Sequence, residues 1–180
     1  MVKNKFKISD FLKNVATLLT GTIIAQAIPL AISPILTRMF SPEDFGLLAL
    51  YMSMVSVLAV VATGRYELAI MLPKKNYEAK NLTALAISLA LIVSFISLII
   101  IVLFNKKIAL LTKNADISSF LYFVPLSVFM IAVYQVLYYW LNRQKKYIKL
   151  AQSKVVQSVF TGSANLGFGA FQQSYGLIFG

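Results

Sequence analysis

The residues best suited to chemistry are a cation and an anion that follow a long apolar run. Arg65 and Glu67 stand directly after residues 45–64, a run without any charged side chain. A guanidinium there could bind a phosphate through two parallel hydrogen bonds, or it could simply reach from a membrane span to the polar interface. Both interpretations of Arg65 stay open. Residues two apart do not face each other on a helix, so we expect Arg65 and Glu67 each to have a partner on another helix.

Acid–base, nucleophilic and metal chemistry have little support in this sequence. The chain has six carboxylates, no His and no Cys. Four of the carboxylates stand at loop or helix-start positions, where the helix dipole is sufficient reason for them: Glu43, Asp44, Glu78 and Asp116. We find no phosphate-binding glycine loop, no H-E-x-x-H pair and no nucleophile elbow. We therefore expect the chain not to be an enzyme, and to use no metal and no cofactor.

The composition and the charge pattern indicate a membrane protein. The chain is 59% hydrophobic with a mean hydropathy of +0.78, whereas soluble domains are about 45–50% apolar. The net charge of +11 is concentrated in basic clusters at residues 3–13, 74–80 and 143–154, which alternate with apolar runs in the positive-inside pattern. No base-reading or stacking motif accompanies this charge, so we expect the lipid bilayer, and not a nucleic acid, as the partner. Residues 1–10 are predicted to be a basic tail with the N-terminus in the cytoplasm.

The apolar runs predict an all-α, polytopic membrane protein with five transmembrane helices and the start of a sixth. We expect residues 1–180 to form one transmembrane bundle. The predicted helices are 11–37, 42–71, 77–105, 117–142 and 150–172, and the sixth begins near residue 176. Between the first two, Ser41 is the predicted N-cap, Pro42 the first helical residue and Asp44 the second member of a capping box.

Polar and helix-perturbing residues recur three or four apart on two of these helices. On the first helix they are Thr22, Gln26, Pro29, Ser33 and Thr37. On the fifth helix they are Gln157, Thr161 and Asn165, and Ser163 with Gly167 fits the small-xxx-small pattern of close helix packing. Such stripes suit either a seam between helices or the wall of a hydrated cavity in a transporter, and both interpretations stay open.

Four short sequence segments resemble those of a known protein family. Residues 37–46 (TRMFSPEDFG) and 65–73 (RYELAIMLP) resemble the first outer corner and the second-helix exit of bacterial polysaccharide-repeat flippases. Residues 140–158 resemble the connection between their fourth and fifth helices, and residues 176–178 resemble the start of their sixth helix. The family is that of Wzx-type oligosaccharidyl-lipid translocases, in the superfamily that also contains multidrug-and-toxin exporters. The resemblance covers essentially the whole chain, in order.

The resemblance implies a two-lobed exporter of which this chain is most of the first lobe, a truncated N-terminal portion whose C-terminal lobe is missing. It implies a substrate: an undecaprenyl-diphosphate-linked oligosaccharide carried across the bacterial cytoplasmic (inner) membrane for surface polysaccharides such as O-antigen or capsule. Polysaccharide polymerase and assembly proteins are further implied partners. The substrate-binding residues it suggests are Arg65 and Arg38, for anionic groups near the inner and outer mouths respectively, Gln26 and Asn165 for sugars, and also Glu67.

Two other functions stay open. One is a drug or metabolite exporter of the same superfamily, and the other is a non-transporting membrane scaffold of a glycan-assembly complex. Coupling to Na⁺ or H⁺ commonly uses a membrane carboxylate, for which Glu67 is the candidate.

Overall fold

The computed structural model describes residues 2–112, 114, 116–170 and 176–179, and in these it contains eight α-helices and no strand. The helices are α1 (Val2–Met39), α2 (Pro42–Thr63), α3 (Tyr66–Ala69), α4 (Asn76–Leu111), α5 (Ile117–Leu121), α6 (Val124–Arg143), α7 (Tyr147–Ala170) and α8 (Gly176–Phe179). The predicted all-α class is confirmed.

Four of the described helices are long and apolar enough to cross a membrane. They are Leu12–Met39 of α1, and all of α2, α4 and α6. The chain is therefore a multi-pass membrane protein. Helix α7 has 24 residues, which is long enough to cross a membrane. It is not among the four candidate spans, because Lys149, Lys154 and its amide side chains lower its hydropathy. A fifth span stays a prediction.

Two predicted helices differ in extent from the observed ones at the N-terminal side of the chain. Helix α1 already begins at Val2, because residues 2–10 contain no Gly or Pro and include several good helix formers. The predicted basic tail is thus helical. Helix α2 ends at Thr63 instead of continuing to residue 71, because two left-handed residues interrupt it.

The later helices also depart from their predicted bounds. Helix α4 continues to Leu111, since the polar residues after position 104 are compatible with a helix. The predicted helix 117–142 is divided into α5 and α6. Pro125 is the second residue of α6 and so lies in its first turn, where proline is tolerated. Helix α7 is described to Ala170, and its predicted end at residue 172 lies outside the described residues.

The corner between α1 and α2 confirms the predicted capping box. The Ser41 hydroxyl accepts the Asp44 backbone N–H at 3.2 Å, and the Ser41 backbone N–H donates to Asp44 Oδ2 at 2.9 Å. Each residue satisfies a backbone donor that the first turn of a helix leaves unpaired.

The chain folds as two compact units. Unit 1 consists of residues 1–44 and 144–180 and contains α1, α7 and α8. Unit 2 consists of residues 45–143 and contains α3 to α6 together with α2, except for the first three residues of α2. A single bundle over residues 1–180 stays a prediction.

In unit 1, α1 and α7 pack in parallel. The nearest side-chain neighbour of each glycine on this seam is a residue 130 positions away in the sequence: Ala151 for Gly21, Ile32 for Gly162, and Met39 for Gly169. A constant offset means that both helices run in the same direction. Glycine lets the backbones come close, but the glycine that small-xxx-small predicted, Gly167, has nothing within 4 Å of where a Cβ would be.

In unit 2, apolar residues of α4 and α6, together with Ile70 just after α3, form the core. Its fully buried members are Ile70, Ala79, Ala86 and Val136, and Trp140 packs against them. The Tyr51 hydroxyl, on α2, is 2.6 Å from Ser127 Oγ on α6. This hydrogen bond attaches α2 to the same unit.

Candidate functional site

Arg65 lies in a two-residue break between α2 and α3. Gly64 and Arg65 both have positive φ, at 54° and 61°. Gly64 adopts this conformation without a steric penalty, and a glycine just after a helix commonly ends it this way. Arg65 adopts it at a cost of roughly 1–2 kcal/mol. Its side chain is exposed, so the break presents a guanidinium on the surface of unit 2.

Glu67 faces the opposite way. It lies in the four-residue helix α3 and is only 3% exposed. Its Oε2 atom is buried and has no hydrogen-bond partner among the described residues. The two charges at this break are therefore separated, with the cation outside and the carboxylate inside.

Arg143, the last residue of α6, reaches across to the segment between α3 and α4. Its Nη1 donates to the Ile70 carbonyl at 3.1 Å, and its Nη2 lies 3.4 Å from both the Lys75 carbonyl and Asn76 Oδ1. Its Nε is buried without a partner among the described residues. This half-buried side chain holds the turn that follows α3.

The sequence did not single out Arg143, which we grouped with the basic cluster at residues 143–154. Its acceptors are 67 to 73 residues away in the chain, beyond any local pattern. Asn76, which by its type suits a helix N-cap, is instead the first residue of α4 after the N-cap Lys75.

In unit 1, the structure places two of the predicted site residues on α1. Gln26 and Arg38 are both exposed, as are Ser33 and Thr37 of the same predicted stripe. Residues that contact α7 occupy the other side of α1, including Ile28 and Ile32. The predicted α1 stripe is thus largely separate from the seam between α1 and α7.

The α7 stripe is divided between two environments. Gln157 and Thr161 are exposed, whereas Asn165 is half-buried and its Oδ1 has no partner among the described residues. Asn165 lies between Gly162 and Gly169, which both contact α1, at spacings of three and four that share one helix face. Asn165 therefore lies on the seam.

A cation also lies on the seam between α1 and α7. Lys154 Nζ donates to Thr22 Oγ1 at 3.2 Å. Thr22 belongs to the predicted polar stripe of α1 and is half-buried. Lys154 was not among the predicted site residues.

The cavities of unit 2 do not coincide with these polar groups. One of about 460 Å³ is lined by apolar residues of α2, α4, α5 and α6 together with Ser53 and Ser97. Both hydroxyls donate to backbone carbonyls of their own helices, at 2.7 and 2.8 Å. None of the predicted site residues lines this cavity.

These features define a class of protein: a polytopic α-helical membrane protein with polar and cationic groups at helix ends and along selected helix faces. Comparison with protein families gives the more particular assignment. The family described as "Polysaccharide biosynthesis protein" matches residues 35–178, about four fifths of the chain. The chain belongs to this family, which confirms the resemblance to polysaccharide-repeat flippases. No curated protein and no solved structure matched the chain.

Family membership gives the chain a role in surface polysaccharide biosynthesis. The predicted site residues belong to two separate units: Arg65 and Glu67 to unit 2, and Gln26, Arg38 and Asn165 to unit 1. Their contact with a substrate stays a prediction.

Proposed function

We propose that this chain helps to move an undecaprenyl-diphosphate-linked oligosaccharide across the bacterial cytoplasmic membrane, from the cytoplasmic to the periplasmic leaflet. The observation that carries the proposal is Arg65. In a membrane protein of a polysaccharide biosynthesis family, an exposed guanidinium is held in a strained conformation at the end of a membrane-spanning helix. Strained residues cluster at functional sites because the surrounding structure must maintain them.

The chemistry of the proposed substrate suits these groups. A diphosphate has several acceptor oxygens, and a guanidinium binds such a group with paired hydrogen bonds. Arg38, exposed in the last turn of α1, is proposed to contact anionic groups near the outer mouth, and Arg65 is proposed to contact them near the inner mouth. Gln26 is an exposed amide that can both donate to and accept from sugar hydroxyls. Asn165 is assigned the same role.

This proposal makes the chain a transporter and not an enzyme. In this proposal the N-terminus lies in the cytoplasm, an orientation that the basic residues before the first span favour by the positive-inside rule. Alternating access needs two lobes that move around a central site, so the proposal includes a second, C-terminal lobe as partner. Polysaccharide polymerase and assembly proteins would receive the product.

Substitution of Arg65 in the full-length gene tests the proposal. The readout is surface polysaccharide, with protein amount in the membrane measured in parallel. Arg65→Ala should abolish most export, and Arg65→Lys should retain part of it, since it keeps the charge but not the paired geometry. Arg65→Gly is the matched control for the backbone, because it removes the charge while relieving the strain. Normal export by Arg65→Ala and Arg65→Gly would remove Arg65 from the site.

The family match favours a function in polysaccharide export over the export of drugs or metabolites. Efflux of cationic dyes from whole cells separates these two functions, because only a drug exporter should move the dyes. The scaffold hypothesis makes a different prediction: substitutions of Arg65 would not affect export, while surface substitutions would disrupt co-purification of assembly partners.

A further inference from the structure

The cavity of about 460 Å³ in unit 2 is an apolar groove with a buried floor and an exposed rim. Its floor includes Ile101, Leu121 and Val124, which are all buried. Its rim includes Val57 and Ile100, which are 65% and 48% exposed. The groove is therefore open at the surface of the chain, and a ligand can enter it without unfolding any element.

The groove lies along the middle of α2. Its four α2 residues fall between Ser53 and Leu58 of a helix that spans Pro42–Thr63. At 1.5 Å per residue, this stretch is roughly 8–15 Å from the C-terminal end of the helix. Helix α2 is a candidate membrane span, and the hydrocarbon core of a bilayer is about 30 Å thick. The groove is therefore at the depth of the lipid hydrocarbon chains.

The lining of the groove suits a hydrocarbon ligand. It is apolar except for two serines, and both hydroxyls donate to backbone carbonyls of their own helices: Ser53 to Leu50 at 2.7 Å, and Ser97 to Ser94 at 2.8 Å. An apolar cavity stays dry and takes up apolar ligands. If the groove were empty, the atoms of its wall would lack dispersion contacts on one side. A hydrocarbon chain supplies those contacts and requires no polar partner.

An exposed face of α2 leads from the groove towards Arg65. Ser53, Val57 and Val61 are spaced by four residues, so they share one helix face, and all three are exposed. Arg65 follows four residues after Val61, in the break beyond the end of α2, and is exposed as well. One helix thus has a cation at its end and an apolar groove at its middle. This arrangement suits a ligand with an anionic head and a long hydrocarbon chain.

We propose that this groove binds the isoprenoid chain of the lipid-linked substrate. The inference rests on the proposed function, which assigns the diphosphate to Arg65. From there the chain runs into the membrane along Val61 and enters the groove past Val57 and Ile100. The guanidinium then recognises the anionic end of the substrate and the groove recognises its hydrocarbon end.

Photolabelling tests the groove without a transport assay. The full-length protein in membrane vesicles is irradiated with a polyprenyl diphosphate that carries a diazirine in its chain, and labelled residues are mapped by mass spectrometry. We expect label on residues 53–58 of α2 and 97–108 of α4, and loss of that label when unlabelled polyprenyl diphosphate competes. Label spread evenly over the exposed faces of the spans contradicts the proposal.

A phospholipid also combines a phosphate with hydrocarbon chains, so a second probe separates the two sources. It is a phosphatidylglycerol that carries the diazirine in one acyl chain, used at the same concentration. We expect it to label the groove less than the polyprenyl probe does. Equal labelling by both probes would mean that any membrane lipid fills the groove, and the proposal is overturned.

Val57→Trp fills the groove from its rim. It should reduce labelling by the polyprenyl probe about tenfold, the change expected when roughly two methylene groups lose their burial. Val102→Trp is the matched control, because it makes the same change at an α4 residue that is 58% exposed and does not line the groove. It should label as the unaltered protein does, and equal labelling of the two variants contradicts the proposal. If Val57→Trp does not accumulate in the membrane, the map of labelled residues in the unaltered protein decides.

Surface polysaccharide measured on the Arg65 variants keeps the two proposals separate. If Val57→Trp blocks labelling of the groove but all Arg65 variants export normally, the chain site is retained and the diphosphate role of Arg65 is rejected. If Arg65→Ala loses export but the polyprenyl probe does not label the groove, the transport role is retained and the chain site is rejected.

Discussion

Arg65 shows how a backbone conformation can fix the direction of a side chain. A residue with φ of 61° cannot continue α2, and the chain beyond it re-enters a helix with Glu67 turned inwards. At this break the cation is exposed and the carboxylate is buried.

Stability and function should respond to Arg65→Gly in opposite ways. The substitution relieves left-handed strain of roughly 1–2 kcal/mol. It also gives the unfolded chain more conformational freedom, which lowers stability by about 0.4–1 kcal/mol. We therefore expect the free energy of unfolding in detergent to stay the same or rise by up to about 1.5 kcal/mol, while export falls. A clear loss of stability would mean that the Arg65 side chain makes a structural contact in the intact protein.

Ser41 gives a second prediction at the residue scale. Ser41→Ala removes the hydroxyl that accepts the Asp44 N–H and should cost about 0.5–2 kcal/mol of stability. Ser41→Asn should retain most of it, since asparagine is an equally good N-cap. Thermal unfolding in detergent measures both. Equal stabilities of the Ala and Asn variants would show that the cap contributes nothing.

Local sequence predicted those elements whose determinants are close together in the chain. The corner at Ser41 has its cap, its proline and its acidic residue within four positions, and the structure reproduces it. The break at Gly64 also had a local signal, but the apolar residues that follow it also suit a continuing membrane helix.

The contacts of Arg143 and the pairing of α1 with α7 had no such local signal. Arg143 bonds to residues 67 to 73 positions away, and α1 contacts α7 at an offset of 130. Periodicity within one helix identifies a face, but it does not identify the partner of that face. For the same reason the sequence left open whether Asn165 lay on a seam or a cavity wall.

At the scale of elements, replacing a glycine in the seam between α1 and α7 by alanine should destabilise the protein, whereas replacing a helical glycine outside the seam should not. A methyl group on Gly21 would lie 2.5 Å from Ala151 Cβ and 2.9 Å from its Cα, so the two backbones must separate. Gly21→Ala should cost about 1–3 kcal/mol. Gly167→Ala is the matched control: it meets nothing within 4 Å and should stabilise by about 0.5–1 kcal/mol. Equal effects on thermal stability would contradict the parallel seam.

At the scale of the whole molecule, the direction of α7 agrees with the number of membrane crossings. Helices α1, α2, α4 and α6 are the four candidate spans. Four crossings return the chain to the side on which it began, so α7 begins on the same side as α1. A helix that then packs in parallel with α1 from residue 151 to residue 169 must cross in the same direction. This supports α7 as a fifth span, despite its lower hydropathy.

Membrane topology provides the test. In the cysteine-free chain, single cysteines are placed at four exposed positions and labelled from either side of oriented vesicles. Gln144→Cys and Lys74→Cys precede odd-numbered crossings and should react from the side of the N-terminus, which we expect to be cytoplasmic. Glu43→Cys follows α1 and Ala170→Cys ends α7, so both should react from the opposite side. Labelling of Ala170→Cys from the same side as Gln144→Cys would show that α7 does not cross, and its lysine and amide side chains would then belong to an interfacial helix.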